Sequence, residues 1–128
     1  MMKADPMEPE EIADLAFSVE EVRSVGIIAT NFEIKLSRVR KSVKSRIREE
    51  IYREFIEFIP EILLGLTEKL QNDLGDTRYA VLCFSKLTLL LFKSYGYIVV
   101  LSIDPGTSAR SVFNRLAPTL GIEPIARK

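Results

Sequence analysis

The chain lacks the side chains on which most metal sites and catalytic triads depend. Its 128 residues include no His, no Trp and a single Cys, Cys83. The absence of His removes most routes to a zinc site, a Cys–His pair or a Ser–His–acid triad. A lone Cys also excludes a disulfide within the chain, so we expect a reducing, cytoplasmic compartment.

A charge excess of either sign is missing as well. The chain has 18 basic and 18 acidic residues, and 47% of its residues are hydrophobic. This composition is typical of a globular domain, whereas a dedicated nucleic-acid-binding domain usually carries a basic excess. We expect neither a signal peptide nor a membrane span, because no apolar run has the required length and flanks. The scarcity of Gln and Asn suggests a thermophilic source.

The first part of the chain predicts a helix followed by a hairpin. Residues 9–20 have apolar side chains at helical spacing, and Pro9 suits the first turn of a helix. Residues 22–31 are rich in β-branched side chains, and residues 32–39 alternate apolar with polar side chains. A polar break at Asn31 separates these two segments, which therefore predict two antiparallel strands.

The strongest periodicity in the chain predicts a long amphipathic helix over residues 42–74. Its apolar positions recur every three or four residues, and many charged residues occupy the complementary face. Gly75 is suited to end the helix in the left-handed conformation. Pro60 predicts a kink near residues 56–60. The apolar positions are Ile47, Ile51, Phe55, Phe58, Ile59, Ile62, Leu66 and Leu70.

The last part of the chain predicts three strands and a final helix. Short apolar runs at 79–85, 86–93 and 96–103 are separated by turn-forming residues. The turn DPGTS then leads into a helix over 108–121, with Ser108 or Thr107 as its N-cap. We therefore expect an α+β fold with one five-stranded antiparallel sheet flanked by helices, in the order α-β-β-α-β-β-β-α. The domain is expected over residues 9–121, between a flexible start (1–8) and a tail (122–128).

The stretch TRYAVLCFSKLTLLLFKSYGYIVVLSIDPGTSARSVFNRLAP resembles the second half of the roadblock, or dynein light-chain, domains of profilin-like topology. It has their edge strand, tight turn, strand, Gly-marked hairpin, strand ending in Asp-Pro-Gly, and final helix. The resemblance extends over about residues 10–120 and is strongest over 45–118. It departs from the family at Asn31-Phe32-Glu33, where these domains usually have an Asp-Gly turn.

The resemblance implies a non-enzymatic scaffold or regulatory module that forms a homodimer, or a heterodimer with a paralogue. It also implies a small Ras-like GTPase, or a larger complex, as partner. In such dimers the third strands pair and the long helices pack across the two-fold axis. Independently, residues 79–85 contain no Pro and no charge, and such an edge strand requires a cover, either a partner strand in a dimer or the long helix or a terminus in a monomer. The expected interface residues are Tyr79, Val81, Leu82, Cys83 and Phe84 on the strand, with Phe55, Ile59 and Ile62 on the helix.

No pattern in the chain predicts catalysis. The loop 104–108 precedes a helix, so its backbone amides could hold an anion, although such turns usually serve as helix caps. Cys83 lies in an apolar strand, where we expect a small core residue and not a nucleophile. We therefore expect no enzyme, no metal and no cofactor.

Residues 35–48 contain seven cations and no acidic residue, which leaves several functions open. The run could be a solvated face paired with the acidic segment 5–21, a surface for a protein partner, or a binding site for nucleic acid or anionic lipid. The absence of aromatic side chains within the run disfavours stacking on bases. A ligand-sensing module of profilin or longin shape is a further alternative. The cations are Lys35, Arg38, Arg40, Lys41, Lys44, Arg46 and Arg48.

Overall fold

A computed structural model of the chain describes residues 7–31, 33–40, 50, 53–55, 58, 68–75 and 77–122. Helix α1 is followed by strands β1 and β2, then by the helical residues that we call α2, by strands β3 to β5, and by helix α3. This order confirms the α-β-β-α-β-β-β-α arrangement expected from the sequence. The bounds are α1 Pro9–Phe17, β1 Val22–Ile28, β2 Ile34–Val39, α2 at residues 50, 53–55, 58 and 68–74, β3 Ala80–Cys83, β4 Thr88–Ser94, β5 Tyr97–Ile103 and α3 Ala109–Leu116.

The five strands form one antiparallel sheet in the order β2-β1-β5-β4-β3, which confirms the predicted fold class. Strands β4 and β5 are joined by Tyr95 and Gly96, whose φ angles are 49° and 81°. Two consecutive positive φ angles are typical of the two-residue turns that match the twist of a hairpin. Because β1, β5 and β4 lie inside the sheet, β2 and β3 are its two edges.

Apolar side chains cover both faces of the sheet. On one face, α1 and α3 pack over a core that includes Ile12, Val25 and Phe113, all fully buried. On the other face, Ile28, Leu89 and others form a second buried cluster. Phe55 of α2 packs against this second cluster, so the two sides of the sheet are covered by different helices.

Several elements end earlier than the sequence predicts. Helix α1 ends at Phe17 because the Ser18 hydroxyl and amide both donate to the Leu15 carbonyl, which closes the last turn. Strand β1 ends at Ile28, since the next amide donates to the Glu33 carbonyl and forms the turn. Helix α3 ends at Leu116, before Pro118, which has no amide hydrogen to extend the helix.

The end of α2 agrees with the sequence. Gly75 follows its last residue with a φ of +83°, and its amide donates to the Gln71 carbonyl at 2.8 Å. This is the left-handed conformation that favours Gly after a helix. The kink expected near residues 56–60 lies outside the described residues, apart from Phe58, and so does the predicted start of the helix at residue 42.

Among the residues that the structure describes, no helix is both long and apolar enough to span a membrane.

Candidate interaction surfaces

Strand β3 presents an apolar edge. It pairs with β4 in one continuous register, from Ala80 opposite Leu91 to Cys83 opposite Thr88. Its side chains alternate between partly buried and exposed, as expected for a strand with only one covered side. Val81 is 39% exposed and Phe84, directly after the strand, is 55% exposed. Within the described part of the chain no strand pairs with the outer side of β3, so this edge combines an unpaired side with exposed apolar side chains.

The expected position of Cys83 in the core is wrong. The thiol is free and exposed, because Cys83 has the same orientation as Val81 at the margin of the sheet. The Thr88 hydroxyl lies 3.7 Å from Sγ, within reach of a weak hydrogen bond. The apolar composition of the strand was misleading, since an edge strand buries its alternate residues only.

The expected interface residues do not have equivalent surroundings. The Tyr79 ring stacks on Phe113, with 4.8 Å between ring centroids, so much of its surface is used within the chain. Leu82 packs against the second buried cluster, as Phe55 does. Val81, Cys83 and Phe84 are exposed, whereas Ile59 and Ile62 lie outside the described residues.

Helix α2 adds exposed apolar side chains that the sequence pattern did not distinguish. Phe58, Leu70 and Leu74 are 58%, 48% and 75% exposed. The regular apolar spacing placed Phe58 and Leu70 in the same stripe as Phe55, which is partly buried against the sheet. Spacing alone identifies an apolar face but does not show where the face is covered.

The described cations of the basic run have partners within the chain. Lys35 contacts the Glu33 carboxylate at 3.0 Å, and Arg38 contacts Asp14 of α1 at 3.0 Å. The second contact agrees with the expectation that part of the run faces the acidic segment. These side chains remain partly exposed, so each ion pair contributes little to stability. Lys41, Lys44, Arg46 and Arg48 lie outside the described residues.

Arg40 is a structural residue, a role that the charge pattern did not predict. Its Nε donates to the Val22 carbonyl at 2.9 Å, and its Nη2 donates to the Phe17 and Val19 carbonyls at 2.9 and 3.1 Å. The guanidinium also lies over the Phe17 ring, 5.0 Å from the centroid. A cation at the carbonyl end of a helix is favourable. The sequence feature that could have indicated this role is the position of Arg40 directly after β2.

The loop at residues 104–108 acts as a helix cap. The Ser108 hydroxyl accepts a hydrogen bond from the Ser111 amide at 3.1 Å, which confirms Ser108 as the N-cap of α3. Arg23 pairs with the Asp104 carboxylate at 2.6 Å, and the Thr107 amide donates to the Asp104 carbonyl. The polar groups of this loop are therefore used to fix the start of the helix.

Two exposed carboxyl groups near these surfaces are perturbed by neighbouring cations. The hydrogen bond from Arg115, 2.7 Å from Glu21, is the main cause of the lowered pKa of that carboxyl. The pKa of Glu33 is lowered mainly by the hydrogen bond from Lys35. Both shifts favour the charged form, so they reflect ion pairing and do not prepare a group for proton transfer.

Solved structures with the same architecture cover nearly the whole chain. A Roadblock/LC7 domain from Streptomyces avermitilis is similar over 90% of this chain and 93% of that chain, with a TM-score of 0.64 and 12% identity. Myxococcus xanthus MglB is similar over 86% of this chain and 91% of that chain, with a TM-score of 0.61 and 13% identity. The gliding protein MglB from Thermus thermophilus has a TM-score of 0.58 at 10% identity, over 94% of this chain and 98% of that chain.

No protein-family model and no curated protein sequence matches the chain. At identities of 10–13%, the similarity concerns the fold. The element order, the sheet order and these superpositions together show that the chain has the roadblock fold.

Proposed function

We propose that the chain is a non-enzymatic scaffold or regulatory module that works as a dimer and associates with a small Ras-like GTPase or a larger complex. The observation that carries this proposal is the β3 edge: no described strand pairs with its outer side, and the side chains of Val81 and Phe84 are exposed. An apolar edge of this kind aggregates unless another strand or layer covers it. A second copy supplies a matching strand by symmetry.

Helix α2 supports the same interface. Among the described helical residues of α2, Phe58, Leu70 and Leu74 expose apolar surface, and Phe55 packs on the sheet. In a two-fold dimer, the same patch on both copies meets itself, so one apolar face serves both protomers. Self-association of this fold has a precedent among the similar structures, one of which is MglB with a tetrameric arrangement, at a TM-score of 0.60 and 10% identity.

The proposed oligomeric state is tested by mass measurement. Light scattering or sedimentation should give about twice the 14.5 kDa chain mass. Val81→Lys should convert the dimer to a monomer, because it places a charge on each copy of the paired strand. Ser37→Lys is the matched control, since it adds the same charge to the exposed side of β2, the opposite edge. A wild-type monomer at tens of micromolar, or an intact Val81→Lys dimer, would contradict the proposal.

The GTPase partner is proposed from the resemblance to roadblock domains. Affinity capture from the source cell, carried out in parallel with GDP and with a non-hydrolysable GTP analogue, should enrich a small GTPase in one nucleotide state. The purified GTPase should then bind wild-type protein and Ser37→Lys, and bind the monomeric Val81→Lys variant more weakly. Capture that is independent of nucleotide would favour a scaffold for another complex.

The structure also bears on the two alternatives. The basic-run alternative is weakened because Lys35 and Arg38 pair with carboxylates and Arg40 binds backbone carbonyls. Its test is the salt dependence of binding to DNA or anionic vesicles by a Lys35→Glu, Arg38→Glu variant, with Arg40 left intact. The ligand-sensing alternative requires a cavity between sheet and α2, where Phe55 packs against the buried cluster.

A further inference from the structure

The two edges of the sheet differ in how they are protected. Strand β3 has no charged residue, and its register with β4 is uninterrupted. Strand β2 carries Lys35 and Arg38, and its register with β1 is broken. Charged side chains, Lys in particular, and local irregularities are the devices by which natural sheets prevent pairing at an edge.

The irregularity in β2 is a bulge at Lys35. Leu36 lies opposite Ile27 and Ile34 lies opposite Ile28, so β2 has one more residue than β1 between these two pairs. An extra residue disrupts the ladder and increases the local twist. The outer backbone row of β2 is therefore interrupted near its beginning, and regular pairing extends only from Leu36 to Val39.

The regular part of β2 carries charge. Arg38 lies within it and is tied to Asp14, with its side chain still 41% exposed. Lys35 is held at the bulge by Glu33. If two copies of β2 paired, these charged and partly exposed side chains would be taken out of water or separated from their carboxylate partners, which is destabilising.

Without these features β2 would itself be a hazard. Ile34 and Val39, near its two ends, are 39% and 41% exposed, about as much as Val81 on β3. The strand is six residues long, whereas β3 has four. Apolar exposure and length would thus favour pairing at β2, and the bulge and the charges oppose it.

We propose that β2 is a blocked end, and that the Lys35 bulge and Arg38 limit assembly to a single pairing at β3. Two unprotected edges would let each copy pair on both sides and form an open-ended chain of sheets. Copies with one unprotected edge can pair only once and therefore form a closed dimer. The final size of two rests on the proposed dimer. The block at β2 is a separate property of the edge and can fail or hold independently.

Two variants remove the block to different extents. The first is Lys35→Val with Arg38→Val, which removes the charges and keeps the bulge. The second deletes Lys35 and carries Arg38→Val, which also restores a continuous register. Lys93→Val is the matched control, because it removes an exposed Lys from β4, a strand inside the sheet. Each is compared with wild type by sedimentation over a range of concentrations, with circular dichroism to verify the fold.

If β2 is blocked, the deletion variant should form assemblies with at least about twice the mass of the wild-type species. The point variant should form them at higher protein concentration. Lys93→Val should keep the wild-type mass. If the deletion variant does not fold, the point variant decides. Folded variants that both keep the wild-type mass overturn the block, as does equal assembly of the Lys93→Val control. If the wild-type protein is a monomer, the proposed dimer is wrong. In that case, self-association of the variants supports the block at β2, and monomeric variants contradict it.

Discussion

Replacing Arg40 with Ala should destabilise the fold more than replacing either of the other described cations of the basic run, Lys35 or Arg38. The Arg40 guanidinium donates three hydrogen bonds to the carbonyls of Phe17, Val19 and Val22. These carbonyls lie at the end of α1 and the start of β1, so the side chain ties the helix to the sheet. Ala removes all three donors and leaves partly buried carbonyls to be solvated.

The magnitude follows from the kinds of contact. A hydrogen bond from a charged donor contributes about 1.5–3 kcal/mol when it is considered alone. The three bonds share one guanidinium and are only partly buried, so their contributions do not add. The contact with the Phe17 ring adds about 0.5–1 kcal/mol. We expect Arg40→Ala to reduce the free energy of unfolding by about 2–4 kcal/mol.

Arg38→Ala is the matched control, because it removes a neighbouring cation of the same basic run. Its ion pair with Asp14 is exposed, and we expect a loss of about 0–1 kcal/mol. Arg40→Lys should lie between the two, since an ammonium keeps the charge but lacks the planar fork of donors. Urea unfolding at one protein concentration measures all three, because dimerisation makes stability depend on concentration. Equal losses in Arg40→Ala and Arg38→Ala would refute the structural role of Arg40.

Three further changes test other contacts. Gly121 has a φ of +69°, and a Cβ there would lie 3.0 Å from the Tyr95 hydroxyl. Gly121→Ala should therefore reduce the free energy of unfolding by about 1–2 kcal/mol, measured by thermal unfolding. An unchanged unfolding midpoint would contradict this. Ser108→Ala removes the N-cap of α3 and should cost about 1 kcal/mol, with the loss absent in Ser108→Asp. The pKa of Glu21 is lowered from its usual 4.5 by Arg115, so this contact stabilises the fold above that pH and is lost as the pH falls through the folded-state pKa. Glu21→Gln should therefore lose less stability than wild type as the pH falls below 4.5. Urea midpoints that fall equally with pH in wild type and Glu21→Gln would contradict this.

The fold was predictable because its signals are local. Period-two and period-3.6 patterns identify strands and helices wherever one face of an element is buried, and the Gly75 and Ser108 caps have recognisable residue types. Element ends were less predictable. Helix α1 ends where Ser18 donates to the Leu15 carbonyl. Composition does not show whether this bond or a further helical turn is more stable.

The candidate surfaces were predictable only in part. The apolar composition of β3 indicated an edge that requires a cover, and the sheet order confirms that β3 is an edge. The same composition misplaced Cys83, because burial at an edge depends on which side of the sheet a helix covers. Phe58 and Leu70 shared the helical spacing of Phe55 but are exposed.

Taken by itself, the sequence determined the order of elements, the class of the fold and the Gly75 cap, and it narrowed the N-cap of α3 to Thr107 or Ser108, since hydrophobic period and cap chemistry act over a few neighbouring residues. Only the tertiary structure decided the use of each charge in the basic run. Arg38 and Arg40 are two positions apart at the end of β2, yet one forms an exposed ion pair and the other binds three backbone carbonyls. That difference depends on where the end of α1 lies relative to β2, a distance that the packing of the whole domain sets.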